Sequence, residues 1–451
     1  MRRLLGGLVL ICRSFGCSAT SMASRAMTEF LQGSQSNLLS SDFSVDYPGG
    51  ATFVIGNEAA DADSIISSLT YAKLKRWQTG NTSVRKQILP IVSIKRGDIH
   101  LRRDVELLLK EVELNLSDLI CLDECNMTNA ADEGKLDLVL VDHNVISKEV
   151  TKHVGPYTRH ESIVKEILDH HEDYDAYKSA VVRDIAYDSN TKCPLVASTC
   201  TLIAERFLEP VNRDALTLEI ATLLIAVIAV DSLNMDPSQN RGTPRDQRVL
   251  DSLQLLYPGI QRDRLYSLLM NAKTDPHFWE SLSARDAIRI DYKCFVYRTK
   301  NMDSSKESVQ GERCGSFGIA SVLQSVDSFL MKEDLSEELN SYLIPKSTRE
   351  LSSVVSADMI VIMSLELLPE VRRSLLFFCI SESRIKSLAS YLAINGSEIL
   401  LEDRSSARGE SSILTVNGHN VHMLAYNQGN TGMSRKQIAP ILLDFFSSEI
   451  S

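Results

Sequence analysis

Two carboxylates, Asp61 and Asp63, follow the apolar run "ATFVIG" in the stretch "GNEAADAD". Farther on, "LVLVDHN" ends in Asp142 and His143, "EILDHHEDY" carries Asp169, His170 and His171, and "IAVIAVDS" brings Asp231 to the end of an apolar segment. Each has an ordinary reading alone. Asp61 and Asp63 could favour a helix N-terminus, Asp142 with His143 could close a strand, the histidine pair could be surface residues, and Asp231 could end its helix. Their joint occurrence, in order and at element ends, points elsewhere. Carboxylates gathered in one place repel one another and suffer raised pKa values unless cations keep them ionised. Several carboxylates with one or two imidazoles form the expected ligand set for a pair of hard or borderline divalent ions, Mg²⁺ or Mn²⁺.

The elements that must position these groups are legible as short apolar runs, "ATFVIG", "ILPIVSI", "LDLVLVD" and "SIVKEILD", separated by amphipathic stretches. That alternation predicts an α/β fold, a mainly parallel sheet flanked by helices. Three of the four runs end at or beside the acids and histidines, and in open α/β sheets ligands bind outside the carboxyl ends of the strands. Helices are expected over Asp63 to Trp77, Leu195 to Leu208 and Ala215 to Val230, the last apolar all round and therefore buried. The segment Asp231 to Gln247 reads as a loop, followed by a helical stretch from Arg248 to Lys273. Beyond about Ala272 a second α/β pattern begins, with strands expected at "GIASVLQSV", "DMIVIMSLEL", "SLLFFCI" and "VHMLAYN". The polar "KNMDSSKESVQGERCG" reads as a surface loop.

A chain of 451 residues exceeds one ordinary core, and the pattern divides it into a presequence over 1–45, a first domain over 46–270 and a smaller second domain over 271–451. The net charge of −11 excludes a protein that coats nucleic acid through general basicity. Any anionic substrate must meet a local basic patch. Nine cysteines, an odd number with no Cys-x-x-Cys pair, indicate reduced thiols. Cys121 and Cys125 read as buried thiols rather than a metal pair, because no second pair with suitable spacing follows. The N-terminus carries Arg2, Arg3, Arg13 and Arg25, several serines and no acid before Glu29. That is the composition of an organelle transit peptide; Leu4 to Cys12 could instead serve as a secretory h-region, and Met22 or Met27 could start a shorter form. Mitochondrial or cytoplasmic placement is the expectation. No run has the roughly eighteen uncharged apolar residues of a membrane span.

The ordered motifs "GNEAADAD", "VDHN", "LDHH" and "AVDS" resemble the DHH phosphoesterase superfamily, and the Gly-Asn-Glu opening resembles its eukaryotic exopolyphosphatase and prune branch. The resemblance spans roughly Asp46 to Ser448. It implies a DHH domain and a DHH-associated C-terminal substrate-binding domain, with the active site in the cleft between them. It further implies two divalent ions: Asp61 on one, Asp63 and His170 on the other, Asp142 and Asp231 bridging. His171 would face the substrate phosphate, with Asn57, His143 and Asp169 supporting the ligands. The related inorganic pyrophosphatases carry His at the position of Asn57, so Mg²⁺ is expected to serve at least as well as Mn²⁺.

In the second domain "GMSRKQIAP" resembles the superfamily's Ser-Arg-Lys signature, which makes Arg435 and Lys436 phosphate-binding and catalytic candidates. A glycine-bearing turn that opens a helix suits an anion independently of the resemblance. Lys293 is a further candidate. Gln437 stands where the pyrophosphatases usually carry a second lysine. The implied activity is removal of terminal phosphate from inorganic polyphosphate by a water that two divalent ions activate. The alternatives are an inorganic pyrophosphatase, a prune-like hydrolase of short polyphosphates or cyclic nucleotides, and an interaction or regulatory protein on this fold whose catalysis has decayed. Oligomeric state is not legible.

Overall fold

The computed structural model describes residues 27–35, 49–80, 86–125, 127–155, 159–299, 313–344, 357–367, 370–404, 413–416 and 419–448. Most of the expected presequence, residues 1–26 and 36–45, and most of the polar loop "KNMDSSKESVQGERCG" lie outside them. The chain divides into two compact units, 1–273 and 274–451, against a boundary after 270 expected from sequence.

In the first unit, β1 (Ala51–Ile55), β2 (Gln87–Ile91), β3 (Leu136–Val141), β4 (Val164–Asp169) and β5 (Val182–Ile185) form one sheet in the order β2-β1-β3-β4-β5. Every pairing is parallel; a separate short ribbon, β6 (Tyr187–Asp188) with β7 (Cys193–Pro194), is antiparallel. A parallel sheet is covered on both faces, so its strands are apolar throughout rather than alternating, and every residue of β1 is buried. Alternate residues enter opposite layers: Val54, Val139 and Leu168 pack with the helices of one face, while Phe53, Ile55, Leu138 and Ile167 pack on the other. β5 is absent from the sequence reading for a physical reason. It is a half-buried edge strand "VRDI", whose Arg183 and Asp184 pair laterally with Asp173 and Arg206.

Residues 27–35 form helix α1, and Met27 and Leu31 are buried in the first layer. Part of the span expected to be a presequence is therefore folded into this unit. The same layer holds α2 (Ala62–Gln78), α3 (Thr199–Leu208) and α4 (Leu218–Asp231). The continuous helix expected from Arg248 to Lys273 is two, α5 (Pro244–Leu256) and α6 (Arg262–Thr274). Pro258 accounts for the break, since it restricts Tyr257 to non-helical backbone and lacks a donor.

The order matters for function. β1 lies between β2 and β3, so the β1-to-β2 and β2-to-β3 crossovers run in opposite directions, and the carboxyl ends of β1 and β3 form the kind of switch point at which open α/β sheets bind ligands. β4 adjoins β3. The ends of β1, β3 and β4, the three strands followed by acids, are thus side by side.

The second unit is a mixed sheet of β8 (Tyr292–Thr299), β9 (Arg313–Val322), β10 (Met359–Glu366), β11 (Arg372–Cys379), β12 (Leu401–Asp403), β13 (Ile413–Val416) and β14 (His419–Gln428). Its order is β12-β14-β11-β10-β9-β8, with β13 also on β14. β9 and β10 are parallel and the other pairs antiparallel. Helices α7 (Glu382–Asn395) and α8 (Arg435–Ser448) bury Leu388, Leu442 and Phe446 against Phe317, Val361 and Phe377.

Candidate metal centre

The site begins where β1 meets α2. A side chain at Gly56 would place its Cβ 2.8 Å from both the Cβ and the carbonyl oxygen of Ser64, so only glycine lets the strand end lie against the first turn of the helix. The next residue locks the turn. Asn57 donates its N–H to Ser64 Oγ at 3.0 Å, and its Oδ1 accepts the N–H groups of Ala59 and Ala60 at 2.9 and 3.2 Å. Buried Arg102 donates to the carbonyls of Ala59 and Ala60 from the other side, at 2.5 and 2.8 Å. Ala60 has φ of 46°, a left-handed conformation that needs such support. Asp61 then caps α2, its Oδ1 accepting the Ser64 N–H at 3.0 Å.

Asp142 follows β3, also with positive φ (63°), and is 2% exposed. Its two oxygens differ. Oδ2 accepts from Asn57 Nδ2 and Ser64 Oγ, both at 2.7 Å. Oδ1 is buried without a hydrogen-bond donor, with His170 Nε2 at 3.3 Å and His171 Nδ1 at 3.7 Å. Asp169 orients that histidine pair: its Oδ1 accepts the N–H groups of His170 and His171 and the His171 Nδ1–H, while Asn144 Nδ2 donates to its Oδ2 at 2.6 Å. His170 Nδ1 donates to the Val196 carbonyl at 3.0 Å, which leaves Nε2 facing the acids.

Asp63 sits at the N-terminus of α3. Oδ1 accepts from Ser198 Oγ at 2.6 Å, the Cys200 N–H at 3.0 Å and Ser67 Oγ at 3.2 Å, and Oδ2 from the Thr199 N–H at 2.8 Å. Unpaired N–H groups and the positive end of a helix favour a carboxylate there. His170 Nε2 lies 3.8 Å from Asp63 Oδ2. Asp231 is the last residue of α4, and its buried Oδ2 has no hydrogen-bond donor.

The electrostatics follow from this crowding. Burial, then Asp142 and Asp61, push the Asp63 carboxyl up to about 6. Burial and the carboxylates of Asp63 and Asp61 raise Asp231 well above the ordinary range. For His170 burial disfavours the charged form, but the Asp142 carboxylate 3.3 Å away and the charge of Asp63 outweigh it and bring the imidazole up to about 10. Burial likewise pushes Asp142 and Asp169 up, yet the imidazoles hold both below the ordinary carboxyl range. Burial lowers His143, whose Nδ1 donates to the Val141 carbonyl at 2.9 Å.

These donors fit a divalent ion. Asp142 Oδ1 and Asp231 Oδ2 are buried acceptors that receive no hydrogen bond, a costly condition that a cation relieves. Ligand atoms of Asp142, His170 and His171 lie within 4.8 Å of one another. The structure thus brings Asp142, His170, His171 and Asp63 together, with Asp231 and Asp61 close enough to shift Asp63 or be shifted by it. His143 turns to its own strand. Asn57 supports Asp142 through an N–H donor and offers no nitrogen lone pair.

Sequence reasoning missed Ser64, Ser198, Asn144 and Arg102. Ser198 carried a signal as an N-cap residue before an apolar run, and Asn144 stood inside "VDHN"; Arg102 carried none. Cys121 and Cys125 are buried, and burial pushes both thiols up. They belong to no cluster of ligands among the described residues.

In the second unit, Arg435 donates from Nη1 to the Asp291 carbonyl at 2.9 Å and from Nη2 to Asp291 Oδ1 at 2.7 Å. Burial raises Asp291, but Arg435 and then Lys293 bring it below the ordinary range. Arg435 is therefore tied to its own unit, whereas Lys436 is exposed. Gln437 folds back, its Oε1 accepting the Ser434 N–H at 2.8 Å and Ser434 Oγ at 2.9 Å. The sequence "SRKQ" is half of a capping box, so the position expected to lack a cation is occupied by a helix cap.

The DHH family N-terminal domain matches residues 51–228 and the DHHA2 domain matches residues 268–445. Exopolyphosphatase PRUNE1 of Mus musculus is 28% identical over 398 residues, covering 88% of this chain and 75% of that protein. A manganese-dependent inorganic pyrophosphatase of Methanothrix thermoacetophila is 25% identical, covering 54% of this chain and 66% of its own. A crystal structure from Methanococcus jannaschii, described as a candidate family II inorganic pyrophosphatase, shares the fold with a TM-score of 0.51 at 17% identity, covering 88% of this chain and 99% of that one. With two superfamily domains in sequence and the acids of its motifs assembled at adjoining strand ends, this chain belongs to the DHH phosphoesterase superfamily, in its exopolyphosphatase and prune branch.

Proposed function

We propose that this protein is a divalent-metal-dependent phosphoanhydride hydrolase that removes orthophosphate from the end of inorganic polyphosphate. The observation that carries the reading is the buried Asp142 carboxylate, with Oδ2 fixed by Asn57 and Ser64 and Oδ1 left without a donor beside two imidazoles. Asp61, Asp63, Asp142, His170 and Asp231 would hold the ions, Mg²⁺ or Mn²⁺. Bound there, they supply Lewis acidity and acidify water.

The chain's own groups do the rest by position and charge, which is what phosphoryl transfer requires. Asn57 and Ser64 aim Asp142, the first turn of α3 fixes Asp63, and Val196 fixes the ring of His170. Asp169 holds His171 Nδ1–H, so His171 presents Nε2 away from that bond, and an Nε2–H there would donate to a phosphate oxygen. Lys436 is the second unit's candidate for a phosphate oxygen, and Arg435 acts first through Asp291.

Two features support polyphosphate over pyrophosphate. Asn57 makes the donor set richer in oxygen than one with a histidine there, which suits Mg²⁺. Gln437 caps its helix where a further lysine would gather a small, highly charged anion. The relatives named exopolyphosphatase support the same reading.

The test is orthophosphate release from long polyphosphate, tripolyphosphate, pyrophosphate and a cyclic nucleotide with Mg²⁺ or Mn²⁺, comparing the parent with Asp142→Asn. Polyphosphate turnover that Asp142→Asn abolishes is expected. Preference for pyrophosphate would move the protein to the pyrophosphatases. No turnover of any substrate would favour an interaction protein on this fold.

A further inference from the structure

The first unit has a concavity of about 600 Å³ that the hydrolase reading does not use. Glu111, Glu113, Glu219 and Arg264 supply its charge, and Leu218 and Ile260 line it with apolar surface. Glu111 and Arg264 pair fork to fork at 2.7 and 2.8 Å, and those hydrogen bonds hold Glu111 below the ordinary carboxyl range. Their charges cancel. Glu219 is different. It lies in the first turn of α4, is 7% exposed, and its Oε2 is sealed from solvent with no hydrogen-bond partner. No ion pair to it occurs among the described residues.

A carboxylate with one oxygen cut off from water and no ion pair gains when a cation joins it. The helix N-terminus offsets part of that cost, but no N–H is within bonding distance of Oε2. A lone divalent ion is a poor match. It needs six or so oxygen ligands at about 2–2.6 Å, whereas Glu111 is already paired and the remaining wall includes Leu218 and Ile260. An ammonium on a short aliphatic chain suits both parts: the charge meets Glu219 and the methylenes cover the apolar wall.

We propose that this concavity binds a small aliphatic amine through Glu219. The site lies at the N-terminal end of α4, whereas Asp231 of the metal centre is at its C-terminal end, so the two are separate. The proposal is independent of the hydrolytic reading.

The test is calorimetric titration of the full chain with 1,4-diaminobutane, with butane-1,4-diol as the neutral isostere and a lysine-containing peptide as the second ammonium source. Saturable diamine binding is expected, with no binding of the diol. Glu219→Gln keeps the shape of the side chain and should weaken binding by at least about tenfold. Leu218→Trp should block binding by filling the space without touching the charge. Asp142→Asn should leave it unchanged. Tighter binding of the peptide than of the diamine would keep the ammonium site and assign its source to a partner's lysine. No saturable binding, equal binding of the diol, undiminished affinity in folded Glu219→Gln, or loss in Asp142→Asn would each overturn the proposal.

Discussion

Metal binding should expel protons, because His170 cannot ligate an ion while its Nε2 carries one. Asp142 and Asp63 bring that imidazole up to about 10, so at pH 7.5 it is almost wholly protonated. The gap of about 2.5 units corresponds to about 3 kcal/mol that an incoming ion must overcome. Affinity for Mn²⁺ should therefore rise about tenfold per pH unit between pH 7 and 9, and more steeply if Asp231, raised well above the ordinary carboxyl range, gives up a second proton. The assay is calorimetric Mn²⁺ titration in two buffers of different ionisation enthalpy, which counts the protons released. Stability of the metal-free protein follows with a definite sign. A histidine raised in the folded state contributes fully below its unfolded pKa near 6.5 and loses that contribution as pH rises through about 10. Melting temperature should fall from pH 7 to 10 in the parent and less in Asp142→Asn, where the amide oxygen still accepts from Asn57 and Ser64 but the charge is gone. Flat affinity across pH 7–9 with no proton released would refute the reasoning.

The clamp on Asp63 makes a second prediction: Ser198→Ala removes a hydrogen bond to a carboxylate, about 1.5–3 kcal/mol, and an N-cap, about 1 kcal/mol. It should lower the melting temperature and weaken Mn²⁺ binding about tenfold, with Ser198→Thr restoring both. Gly56→Ala drives a Cβ into the Ser64 backbone and should cost about 1–3 kcal/mol in denaturant unfolding. Arg435→Gln strands the Asp291 carboxylate and should lower the stability of the second unit, read by its own melting transition, whatever it does to phosphate affinity. An unchanged transition would show the pair to be dispensable.

Much of this was written plainly in the sequence. The parallel strands of the first unit announce themselves because burial on both faces makes them continuous apolar runs, and the acids stand out because each follows such a run. β5 and β8 were hidden for the opposite reason: an edge strand keeps polar or exposed residues, such as Arg183 and Asp184 in β5 and Cys294 and Val296 in β8, that break the pattern. The supporting donors were hidden by distance along the chain. Ser198 meets Asp63 across 135 positions and Arg102 reaches back to Ala60 across 42, and no local pattern encodes such a pairing. Gln437 looks like a missing charge in the sequence because its alternative use, capping, depends on where α8 starts. Arg435 looks open to an anion in the sequence because nothing near it there shows Asp291.

The central claim is that acids and imidazoles from the ends of β1, β3, β4 and α4 hold divalent cations in common. Crystals grown with Mn²⁺ and measured at its absorption edge test this directly. Anomalous density in coordinating distance of Asp142 Oδ1 and His170 Nε2, lost in Asp142→Asn crystals, is the predicted result. Ordered protein with no such density there at saturating Mn²⁺ would contradict it.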